Sequence, residues 1–160
     1  MSVRTGIGYD CHQFAADRPL VIGGVEVPSD RGLLGHSDAD VLTHAVIDAM
    51  LGAAALGDIG HHFPDTDERY RGADSLELAH AAAGLLAGAG FDLVNIDATV
   101  VIEAPKLAPH VETMRQRLSA ALGIAIGSVS VKATRGEKMG FVGRGEGAAA
   151  IAIVTVAPRD

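Results

Sequence analysis

Asp10 and His12 stand two residues apart in TGIGYDCHQF. In an extended chain successive side chains alternate, so this pair projects to one face while Cys11 points to the other. A carboxylate and an imidazole so placed can share a metal ion, make a structural hydrogen bond or form a surface pair, and a third donor decides among these. The stretch GHSDADVLTH offers donors, with His36, Asp38 and Asp40 in or near a loop and His44 in the first turns of a helix. Asp40, His44 and Asp48 recur every four residues and line one helical face. For the two acids a solvated stripe with an N-cap competes with a functional role. His44 is the favoured third ligand, since flanking acids can orient its ring and raise its basicity. Two nitrogens and one carboxylate suit zinc and leave a fourth position open, as in catalytic zinc sites.

Two further polar clusters complete the chemistry. In GDIGHHFPDTD, Asp58, Asp65 and Asp67 are acceptors suited to the hydroxyls of a polyol, and backbone N–H groups around Gly60 can hold an oxygen. Turn formation is the competing reading, above all for Asp67. In KATRGEKMGFVGRGEG, Lys132, Arg135, Lys138 and Arg144 supply positive charge, while Thr134 and the glycines can donate to phosphate oxygens. Glu137 can hold a hard cation such as magnesium or manganese. His61, His62 and His80 read as bystanders, with His80 on a helix surface.

The elements that must position these groups are legible from periodicity and punctuation. TGIGYDCHQF and PLVIGGVEVP read as strands, the second as a hairpin about Gly23-Gly24. SDRGLLGHSDAD reads as a loop. Asp40 is a good N-cap for a helix through DVLTHAVIDAMLGAAAL, which Gly57 ends. The segment from Gly57 to Asp74 has no apolar period and reads as a long, functional loop. A second helix is expected over Ser75 to Ala89, capped by Asp74 and stopped by Gly90. FDLVNIDATVVIEAP then reads as a strand. Pro105 and Pro109 bracket the start of a third helix that runs to about Leu122. SVSVKAT and AAAIAIVTVA are the last strands. Strands alternating with helices predict an α+β or α/β two-layer domain, a mixed sheet with helices packed on one face.

Composition sets bounds on function. The 160 residues fit one domain, expected over 1–160. A formal charge of -7 argues against nucleic acid as the main partner, which needs a basic face. One cysteine cannot form an internal disulfide, and no stretch has the length and apolarity of a membrane span or a secretory leader; a cytoplasmic protein is expected. Neither a Gly-x-Gly-x-x-Gly fingerprint nor a P-loop is present, so a phosphorylated substrate needs another kind of site.

The segments GYDCH, GHSDADVLTH, LGAAALGDIGHHFPDTD, APKLAPH and KATRGEKMGFVGRGEG, in this order and at these separations, closely resemble the 2-C-methyl-D-erythritol 2,4-cyclodiphosphate synthases of the non-mevalonate isoprenoid pathway. The resemblance spans nearly the whole chain. It implies a cytidine diphosphate substrate, 4-diphosphocytidyl-2-C-methyl-D-erythritol 2-phosphate, whose 2-phosphate attacks the β-phosphorus and expels CMP. By position, Asp10, His12 and His44 match the family's zinc ligands. Asp10, Cys11 and His12, with His36 and Ser37, match substrate contacts beside the metal. Asp58, Ile59 and Gly60 and the run Phe63, Pro64, Asp65, Thr66 and Asp67 match the methylerythritol pocket. Ile102, Glu103, Ala104, Pro105, Lys106, Leu107 and Ala108, with Ala133 and Thr134, match the cytidine diphosphate pocket. Glu137 matches the residue associated with a magnesium or manganese ion, and Phe141 and Arg144 match further ligand contacts. The catalytic positions fall on His36 and Arg135. Here the chain departs from the family, in which two or three threonines commonly follow Lys-Ala; Arg135 and Gly136 follow Thr134. A guanidinium can donate to the same phosphate oxygens with added charge. The resemblance also implies a homotrimer with active sites between subunits, and an axial cavity, capped by Arg144 and Glu146, for an isoprenoid diphosphate. A zinc-dependent phosphohydrolase and a non-catalytic binding protein are the rival readings.

Overall fold

The structure, a computed structural model, describes residues 2–159. In chain order its elements are β1 (Arg4–Ala16), β2 (Leu20–Ile22), β3 (Val25–Val27), β4 (Arg31–Leu33), α1 (Val41–Ala53), α2 (Ile59–His62), α3 (Ser75–Gly88), β5 (Phe91–Val101), α4 (Val111–Leu122), β6 (Val129–Thr134), α5 (Gly140–Gly143) and β7 (Gly147–Pro158). Short 3₁₀ turns cover Glu68–Tyr70, Ala108–His110 and Ile126–Ser128.

The main sheet has the order β4-β1-β7-β5-β6. β1 pairs antiparallel with β4 and β7, β5 antiparallel with β7, and β5 parallel with β6, so the sheet is mixed as expected. The parallel pair is joined through α4, because parallel neighbours need a crossover. β2 and β3 form a separate hairpin, with Gly23 and Gly24 at φ 59° and 71°, the left-handed conformations its two-residue turn requires.

One face of the sheet carries the core. On β5 Ile96, Ala98 and Val100, and on β7 Ala148, Ala150, Ala152, Val154 and Val156, are buried beneath the helices. The alternate residues Ile151 and Ile153 face outward, as do Ile7 and Tyr9 on β1. α1 packs against β1, β7 and α3. Every residue of α1 is buried except His44, Asp48 and Gly52, a stripe at four-residue spacing. Its closeness to β1 is possible only with glycine there: a Cβ would lie 1.9 Å from the Ala45 carbonyl oxygen at Gly8 and 2.0 Å from that of Ala49 at Gly6.

Several expected boundaries move. The segment read as a loop after β3 contains β4, whose three residues pair with the end of β1. The region from Gly57 to Asp74 holds α2 and a 3₁₀ turn, each too short to show a period. Asp40 caps α1 but is not solvated. Fully buried, it accepts from the N–H groups of Gly23 (2.8 Å), Gly24 (2.7 Å) and Thr43 (3.0 Å) and from the Thr43 hydroxyl (2.7 Å), pinning the hairpin to α1. Among the described residues no helix is long and apolar enough to cross a membrane.

Candidate metal centre and flanking grooves

β1 brings Asp10 and His12 to its inner face, and the half-buried stripe of α1 brings His44 to meet them. Asp10 Oδ2 lies 2.8 Å from His12 Nε2 and 3.1 Å from His44 Nδ1, and the two ring nitrogens are 3.3 Å apart. Donors around a tetrahedral ion with bonds of about 2.0–2.1 Å stand roughly 3.3 Å from one another, so the triangle has the size of a zinc face. The donor chemistry fits as well. His12 Nδ1 donates to the Leu34 carbonyl at 2.8 Å, and a carbonyl can only accept, so in the neutral ring Nε2 presents a lone pair inward. Acceptors this close repel unless a cation lies among them. Burial works against charge on both Asp10 and His12, yet their mutual contact prevails. The His12 and His44 contacts hold the Asp10 carboxyl below its usual range, and Asp10 pushes His12 above the ordinary histidine value. The three residues thus form a group that can hold a metal ion.

The acids expected to orient His44 do not do so. Asp40 is turned to the hairpin, and Asp48 accepts the Ile59 N–H at 2.7 Å. His44 Nε2 instead meets two hydroxyls, Ser75 Oγ at 2.8 Å and Ser37 Oγ at 3.1 Å. Ser75 escaped sequence reasoning because it signals only a helix start; its tie to His44 spans 31 positions.

A cavity of about 400 Å³ opens beside this group, lined by Gly35, His36, Ser37, Ile59, Gly60, Phe63, Pro64, Asp65, Tyr70 and Leu78. His36 Nε2 donates to the Asp67 carbonyl at 3.1 Å, and the Arg18 guanidinium donates to the Ser37 carbonyl at 3.0 Å, fixing the loop that carries both residues. Asp58, Thr66 and Asp67 do not line the cavity. Asp58 caps α2 through the His61 N–H, and Asp67 caps the following turn and pairs with Arg69 at 2.6 Å. In this structure both carboxylates serve turns.

A second groove, about 170 Å³, is lined by Ile102, Glu103, Pro105, Lys106, Leu107, Ala108, Ala133, Thr134 and Arg135, with Ala104 exposed in the same segment. Glu103 accepts the Gly136 N–H at 2.9 Å and so ties its two walls together. Gly136 is tightly enclosed: a Cβ there would lie 2.5 Å from the Gly143 nitrogen, which excludes a threonine in this packing. Lys132 pairs with Asp97, and Arg144 with Glu146 at 2.8 Å. Arg135 and Lys138 have no ion-pair partner among the described residues. Glu137 sits exposed in a turn at φ 53°, apart from the metal-binding group. Cys11 and Phe141 share a third cavity, on the other side of His12. His80 lies on the surface of α3, as expected, against the Ala121 carbonyl.

A mixed sheet covered by helices on one face, with three residues that can hold a metal ion lining a cavity, defines an α+β protein with a site of small-ligand size. A model of the YgbB family matches residues 3–157, and the chain belongs to that family. A 2-C-methyl-D-erythritol 2,4-cyclodiphosphate synthase of Alkaliphilus oremlandii is 58% identical over 154 residues, which cover 96% of this chain and 98% of the relative. Its counterpart from Burkholderia thailandensis is 56% identical over 156 residues, 98% of this chain and 96% of that one. Among solved structures, the bifunctional IspDF of Campylobacter jejuni superposes with a TM-score of 0.96 at 42% identity, covering 99% of this chain and 43% of that longer one. A CDP complex of Plasmodium falciparum IspF gives 0.87 at 28% identity, covering 99% and 98%.

Proposed function

We propose that this protein converts 4-diphosphocytidyl-2-C-methyl-D-erythritol 2-phosphate to 2-C-methyl-D-erythritol 2,4-cyclodiphosphate and CMP. The carrying observation is the convergence of Asp10, His12 and His44 on the wall of a cavity, in a chain more than half identical to 2-C-methyl-D-erythritol 2,4-cyclodiphosphate synthases. Asp10, His12 and His44 would hold zinc, and Glu137 magnesium or manganese. When bound, such ions offset negative charge on a diphosphate and its leaving group.

The chain's own residues do the rest. A 2-phosphate oxygen forms the new bond to the β-phosphorus while the bond to the oxygen bridging the α-phosphate breaks, and CMP departs with that electron pair. Such a step is limited by repulsion and positioning, so no protein nucleophile is needed. Ile59, Gly60, Phe63, Pro64 and Asp65 enclose the methylerythritol part and exclude water. His36 and Ser37, fixed through Asp67 and Arg18, orient the phosphates. Lys106 and Arg135 donate to the cytidine diphosphate from the second groove.

The two grooves favour an oligomer. Asp10 is in register with Ala150, Ala150 with Val100, and Val100 with Ala133, three strand spacings in all. That is about 14 Å, farther than one diphosphate can span. In a trimer the nucleotide groove of one subunit meets the metal centre of its neighbour. The axial cavity capped by Arg144 and Glu146 would take an isoprenoid diphosphate, and the chain would act as one domain in the cytoplasm.

Phosphorus NMR of the products from zinc- and magnesium-loaded protein tests the reading. A cyclic diphosphate with CMP is expected, and its loss in His44→Ala. A linear monophosphate product points instead to a phosphohydrolase, and tight binding without turnover to a binding protein.

A further inference from the structure

His44 is gripped from the side away from the metal group. Its Nε2 lies 2.8 Å from the hydroxyl of Ser75, a fully buried residue at the first position of α3. The Ser75 hydroxyl is itself bonded to the Asp38 carboxylate, which also accepts the Ser75 backbone N–H at 3.0 Å. A serine hydroxyl has one proton, and a carboxylate can only accept. The Ser75 proton therefore points to Asp38, and the Ser75 oxygen offers His44 a lone pair. Nε2 must carry the ring hydrogen. In the neutral ring Nδ1 is then left bare, 3.1 Å from Asp10 Oδ2 and 3.3 Å from His12 Nε2, placed as a metal ligand would be. Ser37 Oγ, at 3.1 Å from Nε2 and accepting the Ala39 N–H at 3.3 Å, can share the same ring hydrogen.

Asp38 is well placed to anchor such a chain. It accepts the Asp40 N–H at 3.1 Å, and its own N–H donates to the Ala73 carbonyl at 3.1 Å. The loop before α1 and the start of α3 are thereby locked to each other behind the His44 ring. His12 is set differently, by the neutral carbonyl of Leu34.

We propose that Ser75 and Asp38 are positioning residues for the metal centre, a relay in which Asp38 orients the Ser75 hydroxyl and that hydroxyl fixes His44 with Nδ1 aimed between Asp10 and His12. The proposal rests on the reading of Asp10, His12 and His44 as a metal site. Asp38 then acts through two other side chains and is not a ligand.

The experiment measures zinc affinity by chelator competition and the His44 ring protons by ¹H–¹⁵N correlation. Wild type is expected to show a solvent-protected hydrogen on His44 Nε2 when zinc-loaded. Ser75→Ala should weaken zinc binding by about 10- to 100-fold, the usual effect of removing an outer hydrogen-bond partner of a metal-ligating histidine. It should also lose the protection of that hydrogen. Asp38→Asn should shift both readouts in the same direction. Asp74→Ala is the control, because it removes the cap of α3 without touching the relay; its zinc affinity and ring proton should match wild type. Wild-type affinity in Ser75→Ala, an equal loss in Asp74→Ala, or a His44 bound through Nε2 would each overturn the relay. If wild type binds no zinc at all, the metal reading fails and the relay with it.

Discussion

His12 and His44 come to one carboxylate oxygen from elements 32 positions apart, and each ring is aimed by what lies behind it. The Asp10–His12 contact makes metal binding depend on pH. With Asp10 lifting it against the opposing effect of burial, His12 in the metal-free protein titrates above about 6.5, the ordinary histidine value. Below that raised value a proton occupies Nε2 and must leave before a metal binds. Zinc affinity should therefore fall by about tenfold per pH unit on acidification below the His12 pKa, and flatten above it. Asp10, with its lowered pKa, stays ionised through this range and adds no slope. In the metal-free fold the raised His12 pKa stabilises below the ordinary histidine value, and that stability fades as pH rises through the raised one. The lowered Asp10 pKa stabilises above the ordinary carboxylate range and fades on acidification through the lowered value. Calorimetric zinc titrations in buffers of different pH would show one proton released on binding below the raised His12 pKa; a flat affinity would remove His12 from the ligand set. Arg135 carries a separate expectation. Arg135→Ala should lower kcat by roughly 100- to 1000-fold, the range for a lost donor to developing charge, with zinc content unchanged. Unchanged turnover would end its catalytic assignment, and Arg135→Lys separates the charge from the planar fork. At this scale the Asp-x-His pair was legible because alternation is a property of the extended backbone. Ser75 was not, because a hydroxyl acquires a role only from partners the chain brings to it.

Between elements, the decisive contact is backbone on backbone. Gly8 faces α1 one step along β1 from Asp10, with the Ala45 carbonyl where its Cβ would stand. Gly8→Ala must push α1 off the strand, and His44 follows Ala45 by sequence adjacency. The expected cost is about 1–3 kcal/mol or more, typical of overpacking, accompanied by weaker zinc binding. Denaturant unfolding with and without zinc measures both; a variant as stable and as tightly metal-bound as wild type would show the close approach to be incidental. Asp40→Ala should cost roughly 2–5 kcal/mol, since it strands three backbone N–H groups and a hydroxyl that the buried carboxylate now satisfies. Here the sequence was partly readable. The cap before Val41 and the Gly23-Gly24 turn carry local signals, so α1 and the hairpin were expected where they are. Nothing local says that Asp40 also binds the hairpin, because that bond exists only once both elements have docked. β4 was missed for the same reason: Arg31–Leu33 is a strand only by virtue of the end of β1.

On the scale of the molecule, the sheet is covered by helices on one side, and its bare side is apolar where β1 meets β7. The cross-strand pairs Ile7↔Ile153 and Tyr9↔Ile151 lie on the bare side, and each of the four side chains is more than 40% exposed. Large apolar surfaces of this kind mark sites of association. The Ala and Gly residues of GEGAAAIAIV suit close strand packing about an axis, but only the register shows that Ile151 and Ile153 meet Tyr9 and Ile7 of β1 on the side opposite the helices. The proposed metal ligands Asp10, His12 and His44 all come from one chain, while the proposed nucleotide groove lies three strands away. Association should therefore separate two properties that a monomeric enzyme would keep together. Ile153→Lys is the suitable variant, because its in-register neighbour on β5 is Asp97, an acid that tolerates a cation within the chain while the charge opposes burial against another subunit. Sedimentation should show wild type as the proposed trimer and the variant as a monomer. Zinc should still bind with near wild-type affinity, and cyclisation should be lost. A monomer that remains fully active would place the whole reaction within one chain, and an unshifted trimer would move the interface off this face.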